Sequence, residues 1–210
     1  MIASLILGFA LPLLAESPKW ASFEIGGGTL TPTGAIVETV YGEDEREPVL
    51  HLRNGLLFWS ILDVGASFDF CQITGRRIGT LGGEESAEVS RLTLVPLAAT
   101  VIVRGDVFPN QPLVPYAGGG LAYLVWSERS PADDKSVDGD KYGWTGVVGL
   151  QILLDWMEPD RAADVDGFWG VNDTYLNVEL SRTEYDRLGQ GREGLDLSHW
   201  TGRATFMFAF

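Results

Sequence analysis

The chain has 210 residues, enough for one closed domain, and its composition limits both fold and function. It carries 29 acidic against 15 basic residues, a formal net charge of −14, and a surface of that sign repels nucleic acid. Its single cysteine, Cys71, excludes an intramolecular disulfide and a cysteine-rich metal site. Seven tryptophans and 26 glycines favour short twisted strands over helices, where glycine costs about 1 kcal/mol per position.

Residues 1–15, MIASLILGFALPLLA, form an uncharged apolar segment at the start of the chain. A membrane-spanning helix needs about 20 such residues, so this segment is too short to be one. It is typical of the hydrophobic region of a signal peptide, although no basic residue precedes it and Leu13 stands where a small residue is usual. We expect a signal peptide over 1–15 and a single domain over 16–210, with a buried N-terminal strand or helix as the alternative.

Eight segments with a two-residue hydrophobic period follow in chain order, separated by polar stretches rich in Gly, Pro and Asp. They are 19–29, 48–58, 61–71, 88–104, 113–127, 142–155, 171–185 and 199–210. Alternation of this kind places successive side chains on opposite faces of a strand. An even number of strands lets the first and last pair antiparallel, so that the sheet closes and has no free edge along its length. Pro96 interrupts the fourth segment, and we expect a β-bulge there.

The polar faces of these segments carry charges at mid-strand, which a soluble sandwich would expose to water. Those charged residues are Glu24, Asp63, Asp69, Glu179 and Arg203. Three features favour a membrane barrel instead: a uniform apolar strip on the other face, aromatic residues near the strand ends, and an aromatic strand that runs to Phe210. The aromatic residues are Trp20, Trp59, Trp126, Tyr142, Trp144, Trp156, Trp169 and Trp200.

The sequence therefore predicts an all-β fold, an eight-stranded antiparallel transmembrane β-barrel in the outer membrane of a Gram-negative bacterium. Long outer connections are expected at 30–47, 74–87, 128–140 and 186–195, and inner turns at 59–60, 105–112 and 156–170. Pro159 and Gly167 predict a short helix in the third inner (periplasmic) connection. Three outer loops are acid-rich, but DDKSVDGD lacks the ligand spacing of a calcium loop. We therefore predict no cofactor and no metal site, with weak Ca²⁺ or Mg²⁺ bridging as an open alternative.

An eight-stranded barrel is narrow, and side chains rather than water fill its interior. Charges facing that interior must pair, because an isolated buried charge is prohibitively costly. A last hairpin centred near residue 191 places Glu179 opposite Arg203. We predict a lumenal ion-pair network of Glu24, Asp63, Glu179 and Arg203, with a structural role.

Several stretches resemble strands of small outer-membrane barrels of the OmpA/OmpW-like superfamily, and the resemblance covers nearly the whole chain after residue 15. They are FEIGGGTLTP, VPLAATVIVR at 95–104 and PLVPYAGGGLAYLVW at 112–126. The stretch from GLQILLDWMEP to TYLNVEL and the closing LDLSHWTGRATFMFAF look closer still to a barrel group of myxobacteria and related deltaproteobacteria. The resemblance implies a barrel with no assigned catalysis, in contact with outer-membrane lipid and lipopolysaccharide. It also implies that Phe210 is the assembly signal read by the outer-membrane barrel assembly machinery.

Four functions are compatible with the sequence, and the leading one is a structural or interaction barrel whose acidic loops face outside. The second is a narrow transporter or channel for small apolar or ionic solutes. The third is a lipid A-modifying barrel enzyme, for which His51 and His199 are the available histidines; Ser181, Thr183 and Glu184 would lie near His199. The His-x-Ser order of deacylase barrels is missing around His199, so we predict no enzymatic activity. The fourth is a soluble lipocalin-like binding barrel, which would need apolar faces turned inward.

Overall fold

The computed structural model describes residues 19–34, 37, 46–78, 85–108, 110–130, 135–157, 170–188 and 196–210. Eight antiparallel strands in sequential order form one closed barrel, β1 pairing with β8. The strands are β1 (Ala21–Pro32), β2 (Glu47–Phe58), β3 (Leu62–Ile78), β4 (Glu85–Arg104), β5 (Leu113–Ser130), β6 (Lys135–Leu153), β7 (Asp173–Glu184) and β8 (His199–Ala209). The predicted fold class is confirmed.

Side chains alternate between the lumen and the outer surface along every strand. Val178 and Phe206 point outward and are 51% and 50% exposed, whereas Glu24 and Arg53 point into the lumen and are each 4% exposed. The outward side of the described strands therefore forms a band of exposed apolar side chains, the surface that hydrocarbon requires. A lipocalin-like barrel needs the opposite orientation, and the soluble alternative is wrong.

The two ends of the barrel differ, and we name them by their connections. At the turn end lie the chain segments around Trp20 and Phe210, joined by hydrogen bonds from the Trp20 amide to the Phe210 carbonyl (2.7 Å) and from the Phe210 amide to the Ala21 carbonyl (2.9 Å). The β2–β3 turn at this end uses Trp59 and Ser60, whose φ angles of 53° and 58° match the two-residue turns that suit strand twist. The opposite end, with the remaining connections, is the loop end.

The four central strands are much longer than the sequence indicated. Strands β3 to β6 span 17, 20, 18 and 19 residues, whereas β1, β2, β7 and β8 span 11 or 12. Much of the ranges expected to be loops, 74–87 and 128–140, therefore belongs to strands. The hydrophobic period fails there because a sheet that rises out of the membrane has two wet faces.

Pro96 does not produce the expected bulge, and that prediction is wrong. The β4–β5 ladder runs in unbroken register through the Pro96–Leu124 pair. On the other side, the β3–β4 ladder keeps its register but lacks the rungs at Asp69–Pro96 and Phe70–Val95. Proline has no N–H to donate, so the strand loses pairing locally instead of gaining a residue.

Other connections fall largely outside the described residues. The expected helix in 156–170 is represented only by a 3-10 turn at Asp155–Met157, and residues 158–169 lie outside the description. The expected signal peptide at 1–15, Trp169 and parts of the three acid-rich stretches (42–45, 82–84 and 132–134) also lie outside it. No helix among the described residues is long and apolar enough to cross a membrane.

Candidate functional site

The lumen is filled by three layers of side chains, an apolar one at each end and a charged one between them. The turn-end cluster closes one end; it consists of Leu57, Val114, Leu153, Tyr175, Met207 and Ala209. The loop-end cluster closes the other; its buried members are Leu30, Val37, Val49, Cys71, Ile73, Leu92, Leu94, Ala122, Leu124, Tyr185 and Leu197. Among the described residues, the two apolar clusters lie on either side of the charged layer along the barrel axis.

The charged middle layer, which we call the central network, is built around two arginines. Arg53 donates from Nη2 to Asp63 Oδ1 at 2.6 Å and from Nη1 to Asp63 Oδ2 at 2.9 Å, a bidentate pair, and its Nη1 also reaches Glu24 Oε1 at 3.3 Å. Bidentate guanidinium–carboxylate pairs are the strongest hydrogen bonds available to these groups. This half of the network joins β1, β2 and β3.

Arg203 on β8 forms the second half of the network. Its Nε contacts the Glu179 carboxylate, its Nη1 donates to both Asp69 oxygens at 3.1 Å, and its Nη2 donates to Ser181 Oγ at 2.9 Å. The His51 Nδ1 lies 2.5 Å from Asp69 Oδ1 and 2.5 Å from Arg203 Nη1, and the Tyr116 hydroxyl donates to Glu179 Oε2 at 2.7 Å. Strands β2, β3, β5, β7 and β8 are thereby linked across the lumen.

Glycines on the inner wall provide the space that these side chains occupy. A Cβ at Gly65 would lie 2.7 Å from Arg53 Nη2, and a Cβ at Gly55 would lie 2.3 Å from Asp63 Oδ1. A Cβ at Gly149 would lie 2.4 Å from the Tyr116 ring. The central network therefore depends on the absence of side chains at these positions.

Beside the central network lies a small internal cavity of about 40 Å³. It lies between Arg203, Glu179 and Asp69 on one side and Thr100 and Val147 on the other. Since one water needs roughly 10–15 Å³ of such volume, the cavity has room for about three waters.

The structure places each predicted network residue in the lumen. Glu179 and Arg203 are register partners across β7 and β8, with side chains less than one-tenth exposed. Glu24 and Asp63 both contact Arg53 instead of Arg203. Arg53, His51, Asp69 and Tyr116 complete the set, and the predicted network included none of these four. The function of these residues as a stabilising network remains a proposal.

Neither histidine is arranged for catalysis. His199 is 2% exposed and lies opposite Thr183, with its Nδ1 3.1 Å from the Leu197 carbonyl oxygen. The Ser181 hydroxyl near it is engaged by Arg203, and the Glu184 carboxylate pairs with Arg182. His51 is buried in the central network with Asp69. In the described residues we therefore find no histidine that could activate a hydroxyl for a substrate from outside.

At the loop end, the connections on the short side fold over the barrel mouth. The Thr33 amide donates to the Ser198 carbonyl at 2.8 Å, and the Tyr185 amide donates to Ser198 Oγ at 3.2 Å. Burial, and more weakly the Asp69 carboxylate, raise the pKa of the Tyr185 hydroxyl, which stays neutral. Trp126, expected near the membrane surface, instead packs inward against the loop-end cluster, so that expectation is wrong.

Strands β3 to β6 continue beyond this lid as a four-stranded sheet, which we call the raised wall: residues 74–78, 85–91, 127–130 and 135–141. Pairing of β2 with β3 ends at Val49–Cys71, and pairing of β6 with β7 ends at Trp144–Glu184. Within the described residues no strand pairs with the outer edges of β3 and β6 above those points. An unpaired edge presents a row of N–H and C=O groups to the surroundings.

Comparison with known proteins gives a fold but no family. No family model and no curated protein matches the chain. Among solved structures it is similar to the outer membrane protein OprG from Pseudomonas aeruginosa, with 14% identity, a TM-score of 0.60 and coverage of 93% of this chain and 98% of that one. Neisserial surface protein A is 9% identical, with a TM-score of 0.56 and coverage of 90% of this chain and 97% of that one. The attachment invasion locus protein Ail of Yersinia pestis, in complex with the heparin analogue sucrose octasulfate, is 12% identical, with a TM-score of 0.52 and coverage of 92% of this chain and 99% of that one.

The chain is thus a small eight-stranded outer-membrane β-barrel. Where the sheet is closed, the ladder satisfies the backbone groups of its strands, and the outward apolar band matches hydrocarbon, so the outer membrane is its location. The resemblance to OmpA/OmpW-like barrels is confirmed at the level of fold, and the likeness to a myxobacterial group stays a prediction.

Proposed function

We propose that this barrel is a non-conducting, non-enzymatic anchor that holds its raised wall outside the cell as a binding surface for a partner protein. The observation that carries the proposal is the combination of two apolar layers and a charged layer inside the lumen with a sheet that continues past them, whose outer edges pair with no described strand. Strand length beyond the membrane adds nothing to anchoring, so a binding role accounts for it better than a purely structural one does.

The free edge of β6 is the part of the wall best suited to binding. The Tyr142 carbonyl accepts the Arg187 amide at 3.2 Å, which shows that Tyr142 points its backbone groups toward this edge. Because a strand repeats every two residues, Ser136, Asp138 and Asp140 direct theirs the same way. The two aspartates make the edge acidic, and they favour an extended partner segment that carries basic residues.

A peptide of alternating lysine and valine, added to the barrel in nanodiscs, tests this edge. We expect saturable binding by fluorescence anisotropy and slower hydrogen exchange at the amides of residues 138 and 140. Asp138→Pro should abolish binding because it removes the edge N–H, and an edge strand tolerates proline. Asp138→Ala keeps the N–H and should weaken binding only through the lost charge. Equal binding by Asp138→Pro and the parent protein would overturn edge pairing.

The channel alternative has its own test. In planar lipid bilayers the purified barrel should pass no steady current at any voltage, because two apolar layers and an ion-paired layer block the axis. Sustained conductance steps from folded, heat-modifiable protein would contradict the anchor function and favour a channel.

A further inference from the structure

The outer face of the raised wall carries a row of side chains that the proposed partner binding does not use. The register pairs Thr74 with Arg91, Arg91 with Arg129, and Arg129 with Ser136, so four neighbouring strands contribute one side chain each to a single line. All four are exposed on the outer face. We call this line the arginine row.

Two arginines directly opposite each other are unfavourable in a sheet with no bound anion. Like charges at facing positions repel, and neither Arg91 nor Arg129 has a hydrogen bond or an ion pair with another described residue. The pair is also exceptional in a chain with a net charge of −14. Two guanidinium groups flanked by two hydroxyls match a phosphate, which arginine binds bidentately and to which serine and threonine hydroxyls donate.

A second, independent feature lies lower on the same strands. An apolar groove of about 510 Å³, the wall groove, opens on the lipid-facing surface; its lining includes Ala66, Leu97, Ala99, Leu121, Tyr142 and Leu188. Its cause is local, because Ala66 and Ala99 are register partners whose small side chains lie beside the larger Leu97 and Leu121. The volume is within the range of roughly 300–1,000 Å³ that is usual for small-molecule sites.

The distance from the arginine row to the wall groove matches the distance from the phosphate to the acyl chains of one lipid. Six residues separate Arg91 from Leu97 along β4, about 20 Å of extended strand. At a strand tilt of about 40° this corresponds to about 15 Å along the membrane normal, which equals half the hydrocarbon thickness of a bilayer. A lipid with its phosphate on the arginine row therefore has an acyl chain at the depth of the wall groove.

We propose that the arginine row and the wall groove together bind one phosphorylated glycolipid of the outer leaflet, its phosphate on Arg91 and Arg129 and one acyl chain against Ala66 and Ala99. The arginine side chains reach down to the headgroup level while their backbones lie above it. Such a lipid neutralises the cross-strand repulsion and fills the groove. The lipid site lies on the outer face of the strands and does not use the β6 edge. Lipid binding and partner binding can therefore be tested independently.

Native mass spectrometry of the full chain in detergent, titrated with bisphosphorylated lipid A, tests the proposal. We expect one tightly retained lipid A per barrel, affinity about threefold lower for Arg91→Gln or Arg129→Gln, and at least tenfold lower for the double variant. Ala99→Phe should lower affinity several-fold by filling the groove. Arg46→Gln, an exposed arginine of the β1–β2 connection, and Ala117→Phe, an outward alanine nearer the turn end, are the matched controls and should leave it unchanged.

The comparison of probes identifies which part of the lipid is bound. Dephosphorylated lipid A should bind as weakly as the double arginine variant does, and inorganic phosphate should displace lipid A only weakly because it has no chain for the groove. Full affinity of the double variant, or of dephosphorylated lipid A, would overturn the proposal. Complete displacement by inorganic phosphate would overturn the assignment to a lipid. Lipid binding that fails while the lysine–valine peptide still binds leaves the partner surface intact.

Discussion

Arg203 connects more of the lumen than any other side chain named above, because it contacts Glu179, Asp69 and Ser181 at once. We expect Arg203→Met to lower the free energy of unfolding by about 3–5 kcal/mol, because two buried carboxylates, Glu179 and Asp69, then lose their arginine counter-ion. Urea unfolding of the barrel in lipid vesicles measures this.

The controls for Arg203 separate charge pairing from loss of packing. Adding Glu179→Gln and Asp69→Asn to Arg203→Met should recover part of the lost stability, since the unpaired charges are gone. Arg46→Gln, on an exposed loop, should change stability by less than about 0.5 kcal/mol. An Arg203→Met variant as stable as the parent protein would contradict the proposed role of the central network.

How much of this site follows from the sequence depends on how tightly each hairpin is specified. A centre near residue 191 placed Glu179 opposite Arg203, and these two are register partners in the structure. The same arithmetic applied to the turn at residues 59–60 places His51 opposite Phe68, one residue away from its observed partner Asp69. Contacts across the lumen, such as Tyr116 with Glu179, could not be predicted, because they depend on barrel closure and on side-chain length.

At the scale of elements, the sequence predicted all eight strands but not their lengths. Where one face meets lipid, alternation is strict, as in β8 from Trp200 to Phe208. In the raised wall the stretch KSVDGD at the start of β6 is polar on both faces, so no period marks it as a strand. This stretch is a strand because it pairs with Val125 to Ser130 of β5, and a local hydrophobic pattern does not report such pairing.

Pro96 gives a prediction at this scale. Pro96→Val restores a backbone N–H to β4 and has a side chain of similar volume. We expect the missing rungs that pair Asp69 with residue 96 and Phe70 with Val95 to form. One or two added hydrogen bonds should raise the free energy of unfolding by about 0.5–1.5 kcal/mol each. Hydrogen exchange at residues 69 and 70 should slow in the variant, with exchange at Gly119 on β5 as the internal reference. Unchanged exchange at residues 69 and 70 would show that proline is not what breaks the ladder.

For the whole molecule, the apolar band is the feature that defines its environment. Val178, at the middle of β7 and half exposed, faces the hydrocarbon. Val178→Lys should lower the free energy of unfolding in vesicles by about 2–4 kcal/mol, the cost of a lysine near the bilayer midplane. Val107→Lys, at an exposed position in the β4–β5 connection, should cost no more than about 1 kcal/mol. Equal costs at the two positions would contradict this placement of the band.

Phe210 gives a prediction about how the whole barrel is assembled. Phe210 is predicted to be the signal that the assembly machinery reads, and its backbone also closes the sheet through Trp20 and Ala21. Phe210→Ala keeps those backbone bonds, so purified protein should refold with nearly unchanged stability. In cells the amount of folded, heat-modifiable barrel should fall several-fold. Normal amounts in cells would show that another feature of the chain is recognised.

Closure of the sheet has a consequence for how the chain enters a bilayer. The central network draws its members from β1, β2, β3, β5, β7 and β8, and Thr205 on β8 donates to Glu24 on β1 at 3.3 Å across the seam. A half-inserted intermediate would therefore expose Arg203 or Arg53 to hydrocarbon without its counter-ions. Such intermediates are strongly disfavoured, and we expect insertion to be a single cooperative event in which the first and last strands meet before the charges cross the membrane surface.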